Sequence, residues 1–350
     1  MGISLGCVGR GGGRFKGMRT HFSHTYEDII AVDNLLGAWK EFLKGKRGKQ
    51  DVQEFEYRLS DNILALHTEL KNKTYIHGGY YAFNISDPKP RSIHKASVRD
   101  RLLHHALYRQ LYPFFDRTFI ADSYSCRLGK GTHRAMNRFR TFARQVSKND
   151  TRTCWVLKCD VRKFFASIDQ KVLLGIVGTY MSDERICLLI ENIVGSFNSG
   201  TMGKGLPLGN LTSQLLVNVY MNEFDQFVKH NLKAKHYIRY ADDFVTLSSS
   251  RQELVETLSY MRVFLRDRLK LALHPDKVSI ETLASGVDFL GWVHSPDHRV
   301  LRTAAKQRMF RRVKETNREK NTIHSYLGML SHGNAGKLRQ EIMLLAVHSR

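Results

Sequence analysis

The stretch Ile238-Arg239-Tyr240-Ala241-Asp242-Asp243-Phe244-Val245-Thr246-Leu247 decides the fold. Two runs of β-branched and aromatic residues flank a tight polar pair, which predicts a β-hairpin with Asp242 and Asp243 at its turn. Asp is also a good turn residue, so a solvated turn is the competing reading of this segment taken alone. Adjacent carboxylates repel, however, and holding two of them on a rigid hairpin is costly unless a cation occupies the site. A second acidic strand weighs toward the cation. Trp155-Val156-Leu157-Lys158-Cys159-Asp160 is a short buried strand that delivers Asp160 at its end, ahead of Val161-Arg162-Lys163-Phe164-Phe165-Ala166-Ser167-Ile168-Asp169. Oxygen-rich side chains from two separate strands are what hard Mg²⁺ prefers, and two such ions about 3.5–4 Å apart clamp the attacking and leaving oxygens of a phosphoryl transfer.

Between the acidic strands lies Gly205-Leu206-Pro207-Leu208-Gly209-Asn210-Leu211-Thr212-Ser213-Gln214, leading into a helix with Leu216, Tyr220, Phe224 and Phe227 on one face. Pro207 and Gly209 fix a bend, and Asn210, Thr212 or Ser213 can cap the helix. Such a turn is commonplace; its position between the two acids gives it weight. Farther out, Ile29, Val32, Leu35, Leu36, Trp39, Phe42 and Leu43 predict one amphipathic helix. Phe55, Leu59, Ile63, Leu66 and Leu70 predict a second. Tyr80–Ile85 reads as a strand, and Val98, Leu102, Ala106 and Leu111 place a helix after it.

The chain has 350 residues, enough for two or three modules. Its 42% apolar and 25% charged composition is that of a globular protein, not a disordered or membrane chain. Lysine and arginine exceed aspartate and glutamate by 55 against 33, a net charge of +22, so a polyanionic partner is expected. The excess concentrates between Lys89 and Arg144 and again between Leu301 and Arg350. A solvated helix face explains single charges; two zones flanking a more neutral middle fit a long phosphate backbone better. No run approaches the roughly 18 apolar residues of a membrane span, and the Gly/Arg-rich start lacks a signal-peptide core, so a cytoplasmic chain is expected. Residues 1–24 read as a flexible arm or an unstructured leader. The five cysteines (Cys7, Cys126, Cys154, Cys159, Cys187) include no CxxC pair, which predicts reduced, mostly buried thiols and no zinc site.

In order, these motifs resemble those of reverse transcriptases. Tyr240-Ala241-Asp242-Asp243-Phe244 looks like motif C, Asp160 with Phe164 and Phe165 like motif A, and Gly205 to Gly209 with Ser213 and Gln214 like motif B. Phe289-Leu290-Gly291-Trp292 resembles the primer-grip motif, and Leu273-His274-Pro275-Asp276-Lys277-Val278 the lysine-bearing motif before it. Residues 89–106 and 123–135 resemble fingers motifs of bacterial, group II intron-like enzymes. The likeness spans about residues 50–305. It implies an α+β right-hand polymerase: a flexible arm at 1–24, fingers at 25–154, a palm with an antiparallel sheet and interleaved fingers elements at 155–297, and a short basic helical thumb at 298–350. With roughly sixty residues after the primer grip, a short helical thumb is expected and the DNA-binding and endonuclease domains of intron maturases are not.

Carried over position by position, the resemblance implies that Asp160, Asp242 and Asp243, with the Val161 carbonyl, hold two Mg²⁺ ions, for which Mn²⁺ can substitute. Lys89 and Arg91 would neutralise the triphosphate, with Arg99 and Arg101 as weaker candidates. Phe165 resembles the steric gate that excludes a ribose 2′-hydroxyl, and Lys277 the acid that protonates pyrophosphate. For Phe164 plain core packing is the better reading, and Asp169 reads as structural. Leu208, Gly209 and Gln214 would contact the incoming nucleotide; Phe289 to Trp292 would hold the primer. Most family members carry a glutamine where this chain has Leu208 and a proline where it has Gln214. That departure resembles the reverse transcriptases of diversity-generating retroelements, which copy template RNA with errors at adenines alongside a small basic accessory variability protein. The partners implied are template RNA, an RNA/DNA hybrid and dNTPs, with no membrane. Two rivals stay open: a phage-defence or free-standing maturase-like reverse transcriptase, and a non-catalytic RNA-binding scaffold, against which three converging acids argue.

Overall fold

The computed structural model describes residues 20–86, 90–316 and 319–347. The Gly/Arg-rich arm, up to residue 19, and Lys89 lie outside them. The fold is α+β, that of a right-hand polymerase: helices mixed with small antiparallel sheets. The amino-terminal helices are α1 (Tyr26–Ile30), α2 (Val32–Phe42), α3 (Gln50–Tyr57) and α4 (Leu59–Lys71). Each of the two predicted helices is therefore broken once. At the first break Ala31 leaves the helical region at ψ 136°. The carbonyl of Ile29 is taken instead by the buried Asn34 side chain, whose Nδ2 donates to it at 2.7 Å and to the Ala106 carbonyl at 3.2 Å. At the second break, at Arg58, Asn62 Nδ2 donates to the Phe55 carbonyl at 3.0 Å. Apolar spacing cannot reveal these breaks, because the apolar stripe continues through them.

A two-stranded hairpin follows, β1 (Tyr80–Ile85) with β2 (Arg91–Ala96), then the long helix α5 (Val98–Thr118) and α6 (Thr132–Ser147). The central sheet has the order β4-β5-β3-β6, all antiparallel, from β3 (Trp155–Asp160), β4 (Tyr237–Tyr240), β5 (Asp243–Ser248) and β6 (Ser279–Thr282). Between β3 and β4 run α7 (Phe164–Ser167), α8 (Gln170–Gly178), α9 (Glu184–Gly195) and α10 (Leu211–Gln226), and α11 (Arg251–Leu269) follows β5. Strand side chains alternate between faces. Leu157, Cys159, Tyr237 and Phe244 belong to the main core with α5, α10 and α11, while Val156, Ile238, Val245 and Leu247 join a second core with Phe139 and Phe142 of α6.

The predicted face of α10 is buried, and so is most of the rest of it: Thr212, Ser213, Asn218, Asn222 and Asp225 are enclosed too. A helix enclosed all round is a central helix rather than a surface one. The carboxy-terminal part is a three-stranded sheet of β7 (Val287–Phe289), β8 (Trp292–His294) and β9 (Arg299–Leu301), followed by α12 (Thr303–Glu315), α13 (Lys320–Leu330) and α14 (Gly336–Val347). A third core forms there around Trp292, Met309, Val313, Ile323, Leu330 and Ile342. Of the described cysteines, Cys154 and Cys159 are buried, Cys187 is half-buried and Cys126 is exposed, which corrects the expectation of mostly buried thiols; all four are free. Among the described residues no helix is long and apolar enough to cross a membrane.

Candidate active site

Alternation along the central sheet places the acids. Asp160 ends β3 and Asp243 begins β5, and the two are direct cross-strand partners, so both project from the face that carries Val156 and Val245. Asp242 lies in the two-residue turn between Tyr240 and Asp243. The turn is pinned to β3 because the Val161 amide donates to the Asp242 carbonyl at 3.1 Å. Hairpin and strand end thus bring the three carboxylates to one edge.

The electrostatics show the cost of that gathering. Burial, reinforced by Asp160 and opposed by Lys277 and Arg91, raises the Asp242 carboxyl above its ordinary range. Burial also drives Asp243 up to about 7; Lys158 opposes the rise, and Asp160, Asp242 and Asp288 add to it. One oxygen of Asp243, Oδ1, is buried without a hydrogen-bond partner among the described residues. Lys277 supplies positive charge, its Nζ standing 3.0 Å from Asp160 Oδ1. Among the described residues no three His, Cys, Asp or Glu side chains converge closely enough to chelate an ion as they stand. Nevertheless, an orphaned carboxylate oxygen beside two further acids is a donor set of the hard oxygen type that fits a divalent cation.

Asp160 and Asp243 open onto a cavity of about 750 Å³ whose wall carries the basic Arg91, Lys158, Lys277, Arg302 and Arg308, the further acids Asp276, Glu281 and Asp288, and Leu290 and Gly291. Arg91 therefore stands on the cavity wall. Arg99 and Arg101 do not: Arg99 pairs with Glu69 and Asp100, and Arg101 with Asp51, so both are spent inside the amino-terminal module. Of the predicted primer-grip residues, Leu290 and Gly291 line the cavity, at φ 54° and 84° in the β7–β8 turn. Phe289 and Trp292 point into the second and third cores instead.

Phe165 is half-buried and packs edge-on against Phe164, ring centroids 5.6 Å apart, while Phe164 itself is core. The Phe165 carbonyl accepts the Leu206 amide at 2.9 Å, tying motif A to the bend before α10. Within that bend the Leu208 carbonyl accepts the His94 amide of β2 at 3.0 Å. Gly209, at φ 109°, lets Ile93 approach so closely that a β-carbon would lie 2.8 Å from its Cγ2. Asn210 holds the N-cap position without a cap bond; its Nδ2 donates to the His94 carbonyl at 2.9 Å, and its Oδ1 is buried without a partner among the described residues. Gln214 sits half-buried in the first turn of α10. Asp169 caps α8, accepting the Val172 amide at 3.0 Å, in line with its structural reading.

Sequence reasoning passed over Lys158 and Arg239. Lys158 projects from the same face as Asp160, and its Nζ donates to the Asp288 carbonyl, joining the acidic sheet to the β7–β8 hairpin. Its two-residue spacing from Asp160 was the available signal.

The fold is that of a right-hand polymerase. Residues 85–294 match the family "Reverse transcriptase (RNA-dependent DNA polymerase)", more than half of the chain, and the protein belongs to that family. Among curated relatives, Protein YkfC of Escherichia coli is 28% identical over 275 residues, covering 67% of this chain and 69% of its own. The group II intron-encoded protein LtrA of Lactococcus lactis is 22% identical over 303 residues, covering 67% of this chain and 49% of its own, so this chain spans about half of that relative. In fold, a solved telomerase from Candida albicans in complex with a fragment of telomeric RNA aligns at a TM-score of 0.50 with 9% identity, covering 65% of this chain and 47% of that one.

Proposed function

We propose that the chain is an RNA-directed DNA polymerase that extends a primer with dNTPs on an RNA template. The cross-strand pairing of Asp160 with Asp243 on the cavity wall, with Asp242 in the adjoining turn, carries this reading. Asp160, Asp242, Asp243 and the Val161 carbonyl would hold two Mg²⁺ ions, or Mn²⁺ in their place, which when bound supply Lewis-acid stabilisation of phosphoryl transfer. Arg91, with Lys89, binds the triphosphate; Lys277 hands a proton to the departing pyrophosphate; Phe165 closes the space under the sugar against a 2′-hydroxyl. Leu290 and Gly291 carry the primer end, and Arg302, paired with Asp288 beside them, meets backbone phosphates. In this reading residues 25–154 act as fingers, 155–297 as palm and 298–350 as thumb, and the protein works in the cytoplasm.

Primer extension on an RNA template tests it. Asp160→Asn and Asp243→Asn should each lower dNTP incorporation by roughly 10³-fold or more, while RNA binding persists through the basic residues. Near-normal incorporation by either variant would sink the assignment, and RNA binding without extension by the unaltered protein would favour the scaffold.

Leu208 and Gln214 favour a finer reading as an error-prone enzyme of the diversity-generating retroelement type, acting with a small basic accessory protein. A leucine offers the incoming nucleotide shape without an oriented hydrogen bond. The loss is worth about 1 kcal/mol, roughly fivefold in discrimination. Sequencing cDNA made by the unaltered chain and by Leu208→Gln should show fewer errors opposite template adenine in the variant; equal spectra would remove the role of Leu208.

A further inference from the structure

We propose that Arg239 is the positioning residue of the catalytic turn, holding the Ala241–Asp242 segment in shape through the Ala241 carbonyl. The inference rests on the polymerase reading above. Arg239 and Asp225 of α10 are both fully buried. The guanidinium uses its whole fork: Nε donates to Asp225 Oδ1 and Oδ2 at 2.8 and 2.9 Å, and Nη2 donates to Asp225 Oδ2 at 2.7 Å and to Ser123 Oγ at 3.0 Å. Nη1 donates to Asn218 Oδ1 at 3.2 Å and to the Ala241 carbonyl at 3.1 Å. The Tyr237 hydroxyl donates to the same carboxylate at 2.8 Å. One side chain therefore ties three segments to each other: α10, the stretch around Ser123, and the turn that bears Asp242.

Stability alone does not call for this arrangement, since a buried ion pair is commonly matched or bettered by apolar residues of the same volume. The turn supplies the reason. Ala241 lies at φ 56°, a left-handed conformation that disfavours any residue with a β-carbon. Strained conformers persist where their surroundings over-determine them. Here β3 holds the turn through the Val161 amide on the Asp242 carbonyl, and Arg239 holds it through the preceding carbonyl. Without the second bond, Asp242 and Asp243 would sample orientations that no longer meet Asp160.

The triple variant Arg239→Met/Asp225→Leu/Tyr237→Phe removes the buried charge with its partners, which lets the fold survive while the turn loses its clamp. Two readouts are compared with the unaltered protein. The kcat for dNTP incorporation should fall by roughly tenfold or more, the loss expected for one charge-assisted hydrogen bond, with the dNTP KM changed by less than about threefold. In metal-free protein, amide exchange at 240–243 should accelerate by roughly tenfold or more. A folded triple variant with the original kcat and the original exchange overturns the proposal. If the triple variant does not fold, Arg239→Lys keeps the charge opposite Asp225 without the fork, and unaltered values of both readouts in that variant overturn it equally. Should the unaltered protein fail to extend primers, the polymerase reading falls, and the exchange measurement still decides whether Arg239 holds the turn.

Discussion

Gly209 occupies a backbone conformation, φ 109°, that suits glycine, with Ile93 of the β1–β2 hairpin pressed against it. Gly209→Ala combines backbone strain with a clash, and we expect a stability loss of about 2–3 kcal/mol, together with impaired nucleotide incorporation. Urea unfolding checks the first and primer extension the second; an unchanged midpoint would mean that Ile93 yields freely. Two buried histidines weigh against the fold in acid. Burial, followed by the neighbouring His77, pushes His104 down to about 3; burial, against a bond to the Phe289 carbonyl, pushes His294 down to about 4. Both folded-state values lie below the free imidazole, so the unfolded chain takes up protons that the native protein refuses. The contribution to stability is full above about pH 6.5 and is lost as pH falls toward 4, by up to about 1.4 kcal/mol per pH unit for each group. Unfolding midpoints between pH 7 and 5 should therefore drop, and His294→Gln should flatten the slope; an identical slope in the variant would remove His294 from the account.

The carboxy-terminal helices are held to the rest of the chain by a close approach that involves an element already at the site. Trp292, which opens β8 beside Leu290 and Gly291, packs so tightly on Gly333 in the α13–α14 connection that a β-carbon there would run into the indole ring. Gly333→Ala must displace the indole, and overpacking of this kind costs about 1–3 kcal/mol. Limited proteolysis should then cut within 303–347 faster than in the unaltered chain, while cleavage in α5 and α10 stays slow. Equal protection of both regions would show that the ring moves without loosening α12–α14. At the amino-terminal end the breaks between α1 and α2 and between α3 and α4 depend on Asn34 and Asn62, whose side chains take carbonyls that helix continuation would have used. Apolar periodicity was right about which faces are buried and silent about these breaks, because the competing signal is one polar side chain reaching another turn.

Across the whole molecule the net charge of +22 is not evenly used. Some basic residues of the first zone, such as Arg99, Arg101 and Arg127, are spent in internal ion pairs with Glu69, Asp100, Asp51 and Asp116. Arg91, Lys158, Lys277, Arg302 and Arg308 line the common cavity, where Lys277 pairs with Asp160 and Arg302 with Asp288. A nucleic-acid duplex engaged there through several phosphates should bind with a steep salt dependence, its affinity falling by about 10²–10³-fold between 50 and 200 mM salt. Filter binding of an RNA/DNA hybrid across that range checks it; an affinity independent of salt would show that the cavity does not meet the backbone.

The sequence by itself placed the acidic hairpin, the strand before it and the helix between them, because these are local signals: alternating runs around Asp242 and Asp243, a strand ending on Asp160, a Gly/Pro bend ahead of an apolar helix; the right-hand fold followed from the family resemblance these motifs carry. Only the tertiary structure decided which basic residues face the cavity and which are consumed in ion pairs. It also turned Phe289 and Trp292 into core, left Leu290 and Gly291 at the cavity, put Lys158 beside the acids, and joined Arg239 to Asp225 and to the turn that bears Asp242. Each of these depends on residues far apart in the chain, and charge or aromatic character alone cannot say which partner a side chain will meet once burial has chosen its neighbours.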